Sequence, residues 1–130
     1  MNQEMIMKLL EMALSSGNDK EATPQTQSVT IGSHMIGADV IIRTDRAGVW
    51  FGVLEEKSGA EVILKNARRM YRWWAAQSIS LSAVSIHGIK REKSKICEPV
   101  ESVWLEAIEI ISCTDKAIES LRGADNVQAG

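Results

Sequence analysis

The sequence has few of the residues that build disulfide or metal-held scaffolds. It contains two cysteines and two histidines in 130 residues. Cys97 and Cys113 lack CxxC spacing, and His34 and His87 are not clustered with them. Small disulfide scaffolds and zinc sites need more of these residues at closer spacing. The pattern therefore predicts reduced, structural thiols and no metal site.

Long apolar runs are also lacking. The apolar stretches are interrupted within a few residues, far short of the roughly 20 that span a bilayer, so we predict no transmembrane segment. The opening stretch MNQEMIMKLLEMALSS contains acids and lacks a basic leader, which is not typical of a signal peptide. We therefore expect a cytosolic protein.

The recognised catalytic signatures are absent from the sequence. There is no GxSxG elbow, no GxxxxGK[ST] loop, no GxGxxG, no HExxH and no carboxylate-rich metal loop. His87, next to Gly88 in a polar context, would be a general base standing alone, and such a histidine is more often exposed or in contact with a ligand. We predict that the protein is not an enzyme and has no cofactor.

The composition fits one small globular domain with terminal extensions. Hydrophobic residues make up 45% and charged residues 25% of the chain. Apolar residues at helical spacing predict an amphipathic helix over residues 1–15, for oligomerisation or for docking on its own domain. We expect a polar linker over 16–34, a β-rich ligand-binding domain over 35–123 and a flexible tail over 124–130.

Alternating patterns dominate the central part of the chain. DVIIRT, VWFGVLEE and EVILKN predict a three-stranded meander, and VESVWLEAIEII predicts one long strand or a pair. SISLSAVS is ambiguous and favours at most a short helical turn. TDKAIESLRG predicts a closing helix with Thr114 as N-cap and Gly123 at its end. The fold class is mainly β with helical decorations (α+β), with a small β-sandwich-like core and a short C-terminal helix.

Positive charge is concentrated in the middle of the chain. Between Arg43 and Lys95 there are eleven Lys and Arg against five acids, a local balance of +6 within a net charge of −2. Such asymmetry indicates an anionic partner held by a local patch, and charged residues on solvated strand faces would give the same count. Lys90, Arg91, Lys93 and Lys95 form a basic loop that either closes over an anion or is simply solvated.

The segment KNARRMYRWWAAQ places four cations beside three aromatic residues. Arginine matches phosphate oxygens with a planar fork of donors, and indole offers a flat face on which a base stacks. Neighbouring residues on a regular element point in different directions, so at most one of Arg68 and Arg69, and one of Trp73 and Trp74, need face a ligand. We expect Trp50 and Trp104, inside apolar strand patterns, in the core.

Three ordered motifs between Asp39 and Lys116 resemble one known family. The motifs are R-T-x-x-A-G-V, N-A-R-R-x-x-x-W and I-E-I-I-x-C-T. They are similar to those of the anti-Thoeris sponge family of phage proteins, the first type described, which soaks up signalling nucleotides. Trp74 departs from the pattern because relatives often have a small or polar residue there, and the basic loop is more basic than expected.

The resemblance implies a function without catalysis. Members are decorated β-sandwiches that form dimers and higher oligomers up to a hexamer, and they hold a cyclic ADP-ribose isomer in pockets between subunits. TIR-domain enzymes make this signal in infected bacteria, so the implied location is the host cytoplasm. Some relatives also bind cyclic oligonucleotides at a separate site. Neither a membrane nor a long nucleic acid is an expected partner.

The ligand-binding candidates combine the resemblance with the charge pattern. The resemblance implies phosphate contacts by Arg43 and one of the paired arginines, and a weaker second clamp at Arg122. The complete set is Arg43, Thr44, Arg46, Arg68, Arg69, Trp73, Trp74, His87, Lys90 and Arg122. A different class remains open, in which the protein is an inhibitor that binds a host defence protein through its basic middle.

Overall fold

The computed structural model describes residues 31–128. The predicted helix over 1–15 and most of the predicted linker lie outside the described residues. A 3-10 turn, Ser33–Met35, precedes five strands and two helices. The strands are β1 (Asp39–Thr44), β2 (Val49–Ser58), β3 (Glu61–Arg72), β4 (Lys95–Ile96) and β5 (Val100–Ser112). The helices are α1 (Leu81–His87) and α2 (Asp115–Arg122).

Four of the strands close into a ring. β1 pairs with β2 and β5, β5 pairs with β3, and β3 pairs again with β2, all antiparallel. β4 adds a short pairing at the end of β3. The mainly β, α+β class is therefore confirmed. The predicted sandwich-like core is formed by strands that face each other across the ring. These strands belong to one continuous sheet, because the pairing of β2 with β3 closes the sheet on itself.

Local irregularities allow this small ring to close. The register between β2 and β3 shifts between Phe51 and Val53 and again between Leu54 and Glu56. Such bulges bend a strand and increase its twist. A Cβ added at Gly52 would lie 3.0 Å from the Lys65 carbonyl oxygen. Glycine at this position lets the two strands approach closely at the bend.

The core has two layers, one on each side of the sheet. One fills the ring: Val40, Ile42, Trp50, Leu54, Val62, Leu64, Ala67 and Leu105. The other lies where α1, α2 and β4 cover the outside: Ile41, Phe51, Met70, Leu81, Val84, Ile96 and Leu121 are among its members. β1 is covered on both faces, so its residues Val40, Ile41 and Ile42 are consecutively buried and do not alternate.

Most predicted elements have the expected type. The meander is confirmed, although β3 continues to Arg72. The segment VESVWLEAIEII lies within one long strand. The ambiguous segment forms α1, which begins where the Ser80 hydroxyl accepts a hydrogen bond from the Ala83 amide (3.1 Å). At α2, the Thr114 hydroxyl likewise accepts from the Ala117 amide, confirming the predicted N-cap.

The chain after α2 is ordered against the domain. Ala124 is buried, and Asn126 forms a parallel bridge with Ile96. The Val127 amide donates to the Ile96 carbonyl at 2.9 Å. These contacts attach residues 124–127 of the predicted flexible tail to β4, and they use backbone groups that a sequence pattern does not reveal.

Neither membrane nor metal features occur in the part of the chain that the structure describes. No helix there is long and apolar enough to cross a bilayer. Over the same residues, His, Cys, Asp and Glu form no group of three or more with the geometry to hold a metal ion.

Candidate functional site

The ten candidate residues do not converge on one site within the chain. Arg43, Thr44, Arg46 and Arg69 gather at the turn between β1 and β2. A second group, Arg68 and Arg122, is directed into the domain, and a third, Trp73, Trp74 and Lys90, lies beyond the end of β3. His87 is half-buried at the last residue of α1. Each group has a different environment.

Arg68 is a structural residue and not an accessible phosphate contact. It is 3% exposed, and its guanidinium donates to the carbonyls of Cys97 (2.9 Å), Leu121 (2.8 Å) and Ala124 (2.8 Å). It also donates to Oδ1 of Asn126 at 2.8 Å. Burial, and secondly the charge of Arg122, lowers its pKa. This corrects the expectation for Arg68 and leaves Arg69 as the exposed member of the pair.

Arg122 is also engaged with its own domain. Its guanidinium lies 4.6 Å over the Phe51 ring, and Nη1 donates to the Asn66 carbonyl at 2.6 Å. Nη2 is buried, without a hydrogen-bond partner among residues 31–128, and is 4.0 Å from a carboxylate oxygen of Asp39. The side chain is thus directed at protein groups, which disfavours the second phosphate clamp.

The turn between β1 and β2 is held by its own hydrogen bonds. The Thr44 hydroxyl donates to the Gly48 carbonyl and accepts from the Ala47 amide, so it stabilises the turn. Arg69 donates to the Ala47 carbonyl and stacks over Trp50, with 4.4 Å from its guanidinium carbon to the ring centroid. Arg43, in turn, pairs with a strand residue, Glu109, at 2.8 Å.

A large depression lies beside this turn, and its charge does not favour an anion. It measures about 600 Å³ and is lined by residues 44–47, Ala60 and residues 104–108. Arg46 contributes one cation, whereas Asp45 and Glu106 contribute two acids. The Arg46 side chain is 94% exposed and pairs weakly with Asp45 at 3.7 Å. A ligand carrying several phosphates would meet net negative charge here.

A basic depression with an indole wall lies beyond the end of β3. We call it the Trp74 surface; it consists of Arg72, Trp74, Glu92, Lys93, Ser94 and Lys95 and encloses about 440 Å³. Three cations face one acid. Lys93 lies over the Trp74 ring, with its ammonium nitrogen 5.4 Å from the centroid. Trp74 is 53% exposed, and Lys93 places positive charge over one face of its ring.

The cations of the Trp74 surface include a cross-strand pair of like charge. Arg72 on β3 lies directly opposite Lys95 on β4. Like charges at opposed strand positions repel and destabilise a sheet. Among residues 31–128, neither side chain forms an ion pair with an acid within 4.0 Å. An anion bound between them would remove the repulsion.

The two adjacent tryptophans have different roles. Trp73 is half-buried and packs against the outer core layer, whereas Trp74 is 53% exposed. Trp74 also borders an apolar depression of about 200 Å³, formed with Trp73, Ala75, Ser78 and Ile79. The sequence did not identify which indole faces outward; in the structure Trp74 is exposed, and Trp73 packs against the core.

Backbone hydrogen bonds fix the position of Trp74. Its amide donates to the Ser94 hydroxyl at 3.0 Å, and its carbonyl accepts from the Lys90 amide at 2.8 Å. The basic loop is in turn attached to α2, because Arg91 donates to the carbonyls of Ser120 (3.1 Å) and Glu119 (3.0 Å). Arg91 therefore holds the loop, while Lys93 and Lys95 remain exposed on it.

Trp104 differs from the sequence expectation. It is 54% exposed on β5, so its prediction as a core residue is wrong. Val103 and Leu105 on either side belong to the ring interior, which directs Trp104 outward. Its indole nitrogen donates to a carboxylate oxygen of Glu61 at 3.0 Å.

The fold and these surfaces define a small β-ring domain with exposed indoles and charged depressions. Residues 37–121 match the family model described as a domain of unknown function, DUF6948. The match spans roughly two thirds of the chain, and the chain therefore belongs to the DUF6948 family. No curated protein and no solved structure matches the chain.

Proposed function

We propose that this protein binds and sequesters a cyclic nucleotide signal without cleaving it, with the Trp74 surface as its principal contact. The observation that carries the proposal is an exposed indole beside two opposed cations, Arg72 and Lys95, that form no ion pair among residues 31–128. A nucleotide supplies both complements: its base stacks on the indole, and its phosphates separate the two cations. The apolar depression beyond Trp74 accommodates the edge of the base.

The electrostatics of the Trp74 surface suit more than one phosphate charge. Lys93, Arg72 and Lys95 outnumber the acid Glu92 by two charges. Arginine pairs with phosphate oxygens in a bidentate manner, while the lysines act as mobile point charges. Because the Trp74 backbone is already bonded to the loop, little ordering is required when the ligand binds.

The affinity required of a sponge adds a further element to the proposal. Nanomolar binding corresponds to about −12 kcal/mol, which a small ligand reaches when most of its surface is buried. The Trp74 surface is open, so a second protomer is proposed to close over the ligand. In such a homo-oligomer, a dimer or a hexamer, the candidate contacts from the neighbouring protomer are Arg43, Arg46 and Arg69.

The resemblance to anti-Thoeris sponges gives the proposal its specific form. The ligand is a cyclic ADP-ribose isomer made by TIR enzymes, and a related cyclic oligonucleotide occupies a second site. The protein then acts in the cytoplasm of an infected bacterium, where it lowers the free concentration of the immune signal. The motif residues that carry this resemblance lie mainly at the β1–β2 turn and along β3.

Titration calorimetry tests the proposal directly. The purified full-length protein is titrated with cyclic ADP-ribose isomers, cyclic dinucleotides and cyclic trinucleotides, and the complex is then heated and the released molecule analysed by chromatography. We expect tight binding of one of these ligands and its recovery intact. Recovery of an altered molecule would identify an enzyme, and no binding of any of them would contradict the proposal.

Matched tryptophan variants locate the site. Trp74→Ala should weaken binding by about tenfold or more, since one stacked base contributes roughly 1–3 kcal/mol. Trp104→Ala removes an indole of nearly equal exposure on β5 and should leave the affinity unchanged. Equal effects of both variants, or no effect of Trp74→Ala, would place the ligand elsewhere.

A second candidate function is inhibition of a host defence factor through direct protein binding. The observation that favours it is the exposed apolar surface around Trp104 and Ile108, which are 54% and 55% exposed. Isolation of a stable complex with a host protein, together with no nucleotide binding, would support this function over the first.

A further inference from the structure

An apolar surface with an acidic border lies at the start of β3. Its centre is Trp104, flanked by Ile63, its partner across the strands, and by Ile108. Depressions of about 230 Å³ and 600 Å³ lie on the two sides of the indole. We call this region the Trp104 face. The hydrogen bond from its indole nitrogen to Glu61 holds the ring in one orientation.

The Trp104 face contains a pair of opposed acids. Glu61 on β3 lies directly across from Glu106 on β5, so their side chains leave the sheet on the same side. Neither acid forms an ion pair within 4.0 Å among residues 31–128. Two neighbouring carboxylates without a cation raise the energy of the sheet. A cation supplied from outside would relieve this repulsion.

The chemistry of the Trp104 face selects an arginine side chain. A guanidinium is planar, stacks on an indole and donates to carboxylates in pairs, whereas an ammonium offers a single point charge. Ala60, Leu105 and Ala107 line the larger depression together with Ile108, giving space for an apolar neighbour. Counting the acids and cations that line the two depressions, four carboxylates face two basic side chains.

We propose that the Trp104 face is a docking surface for a polypeptide partner that presents an arginine next to an aliphatic residue. The arginine stacks on Trp104 and bridges Glu61 and Glu106, while the aliphatic side chain enters the depression beside Ile108. This surface is separate from the Trp74 surface. Ile63 and Arg72 are nine residues apart on β3, which corresponds to about 30 Å along an extended strand.

A labelled peptide provides the probe. A decapeptide with the central sequence Leu-Arg-Leu-Arg-Leu in a Gly/Ser background is titrated with full-length protein and followed by fluorescence anisotropy. The matched peptide carries citrulline, which keeps the shape of arginine and removes its charge. We expect the arginine peptide to bind at least about tenfold more tightly, in line with a desolvated cation–π contact and a charged hydrogen bond.

Protein variants separate this surface from others. Trp104→Ala and Glu106→Gln should each weaken peptide binding by about tenfold, and Trp74→Ala should not change it. In the absence of peptide, Glu106→Gln should raise the melting temperature, because it removes one of the two opposed carboxylates and so ends their repulsion. That rise in melting temperature does not depend on nucleotide binding. A failure of the docking proposal can therefore be distinguished from a failure of the proposed nucleotide-binding function.

Several results would overturn the docking proposal. These are absence of peptide binding, equal binding of the citrulline peptide, no loss with Trp104→Ala, or a fall in melting temperature with Glu106→Gln. Sedimentation velocity adds one more: if the protein self-associates and only Trp104→Ala abolishes the association, a second copy of the chain covers this face and the arginine partner is refuted.

Discussion

Replacement of Arg68 by alanine should destabilise the whole domain. The side chain satisfies three backbone carbonyls, those of Cys97, Leu121 and Ala124, and one side-chain amide, that of Asn126, over distances of 2.8 to 2.9 Å. These acceptors belong to the segment before β5, to the last turn of α2 and to the chain that follows it. Without the guanidinium, these buried acceptors lose their side-chain hydrogen bonds to β3.

The magnitude follows from two opposing effects. A hydrogen bond to a charged group contributes about 1.5–3 kcal/mol, and four such bonds would give more than the effect expected here if they were additive. The cost of burying the charge, which also lowers the pKa of Arg68, offsets part of that gain. Removal of one partner from a buried charged network typically costs about 3–5 kcal/mol, and we expect Arg68→Ala to fall in that range.

Urea unfolding followed by circular dichroism measures the free energy of unfolding that Arg68→Ala loses. A loss of that size would lower the melting temperature by about 15–30 °C in a domain of this length. Arg68→Lys should still cost about 2 kcal/mol, because an ammonium donates at most three hydrogen bonds from one point. Arg69→Ala is the matched control; it removes an exposed neighbour stacked on Trp50 and should cost about 1 kcal/mol. A loss below about 1 kcal/mol for Arg68→Ala would refute the structural role.

Three further substitutions test other parts of the molecule. Gly88→Ala should cost about 2 kcal/mol or more in urea unfolding, because φ is +87° and the new Cβ would lie 2.5 Å from that of Ser120; Gly59→Ala, also at positive φ but in open space, should cost only about 1 kcal/mol. Burial raises the pKa of the Cys113 thiol to about 12 from 9.0, so its contribution to stability is present below pH 9 and is lost as pH rises toward 12. The free energy of unfolding should therefore fall less between pH 8 and pH 10.5 for Cys113→Ala than for the original protein. An equal fall in the two proteins would contradict the raised pKa of Cys113. Arg43→Ala should reduce nucleotide affinity by about tenfold or more in calorimetry and lower stability by at most about 1 kcal/mol, since its ion pair is exposed; a large fall in melting temperature with unchanged binding would make it a structural residue.

The sequence was sufficient to predict the local elements of the fold. Period-two patterns identified β1, β2 and β3, and the N-cap Thr114 identified the start of α2. The closure of the ring was not predictable in this way. It depends on β5 pairing with both β1 and β3, and those contacts join residues far apart in the sequence. Local patterns carry no information about such partners.

The direction of the paired arginines could not be predicted because the alternation of β3 changes phase. Val62 and Leu64 alternate inward, but Asn66 adopts a φ of +49°, and Ala67 and Arg68 are then buried in succession. Extending the period-two pattern along β3 does not predict this change of phase. Trp104 was mispredicted for another reason: apolar residues occupy both phases of β5, and the interior phase belongs to its neighbours Val103 and Leu105.

The fold changes what the concentrated positive charge of the middle segment means. Some of its cations act as internal donors: Arg68 and Arg91 are committed to carbonyls of the domain itself. The uncommitted charge is therefore smaller than the sequence count and is localised, with Arg72 and Lys95 opposed at one end of β3 and two acids opposed at the other. Opposed like charges at both ends of one strand reduce stability unless ligands of opposite sign compensate them. Each end is thus suited to a different partner, an anion beside Trp74 and a cation beside Trp104, and the two tryptophan variants distinguish these partners in a single preparation of protein.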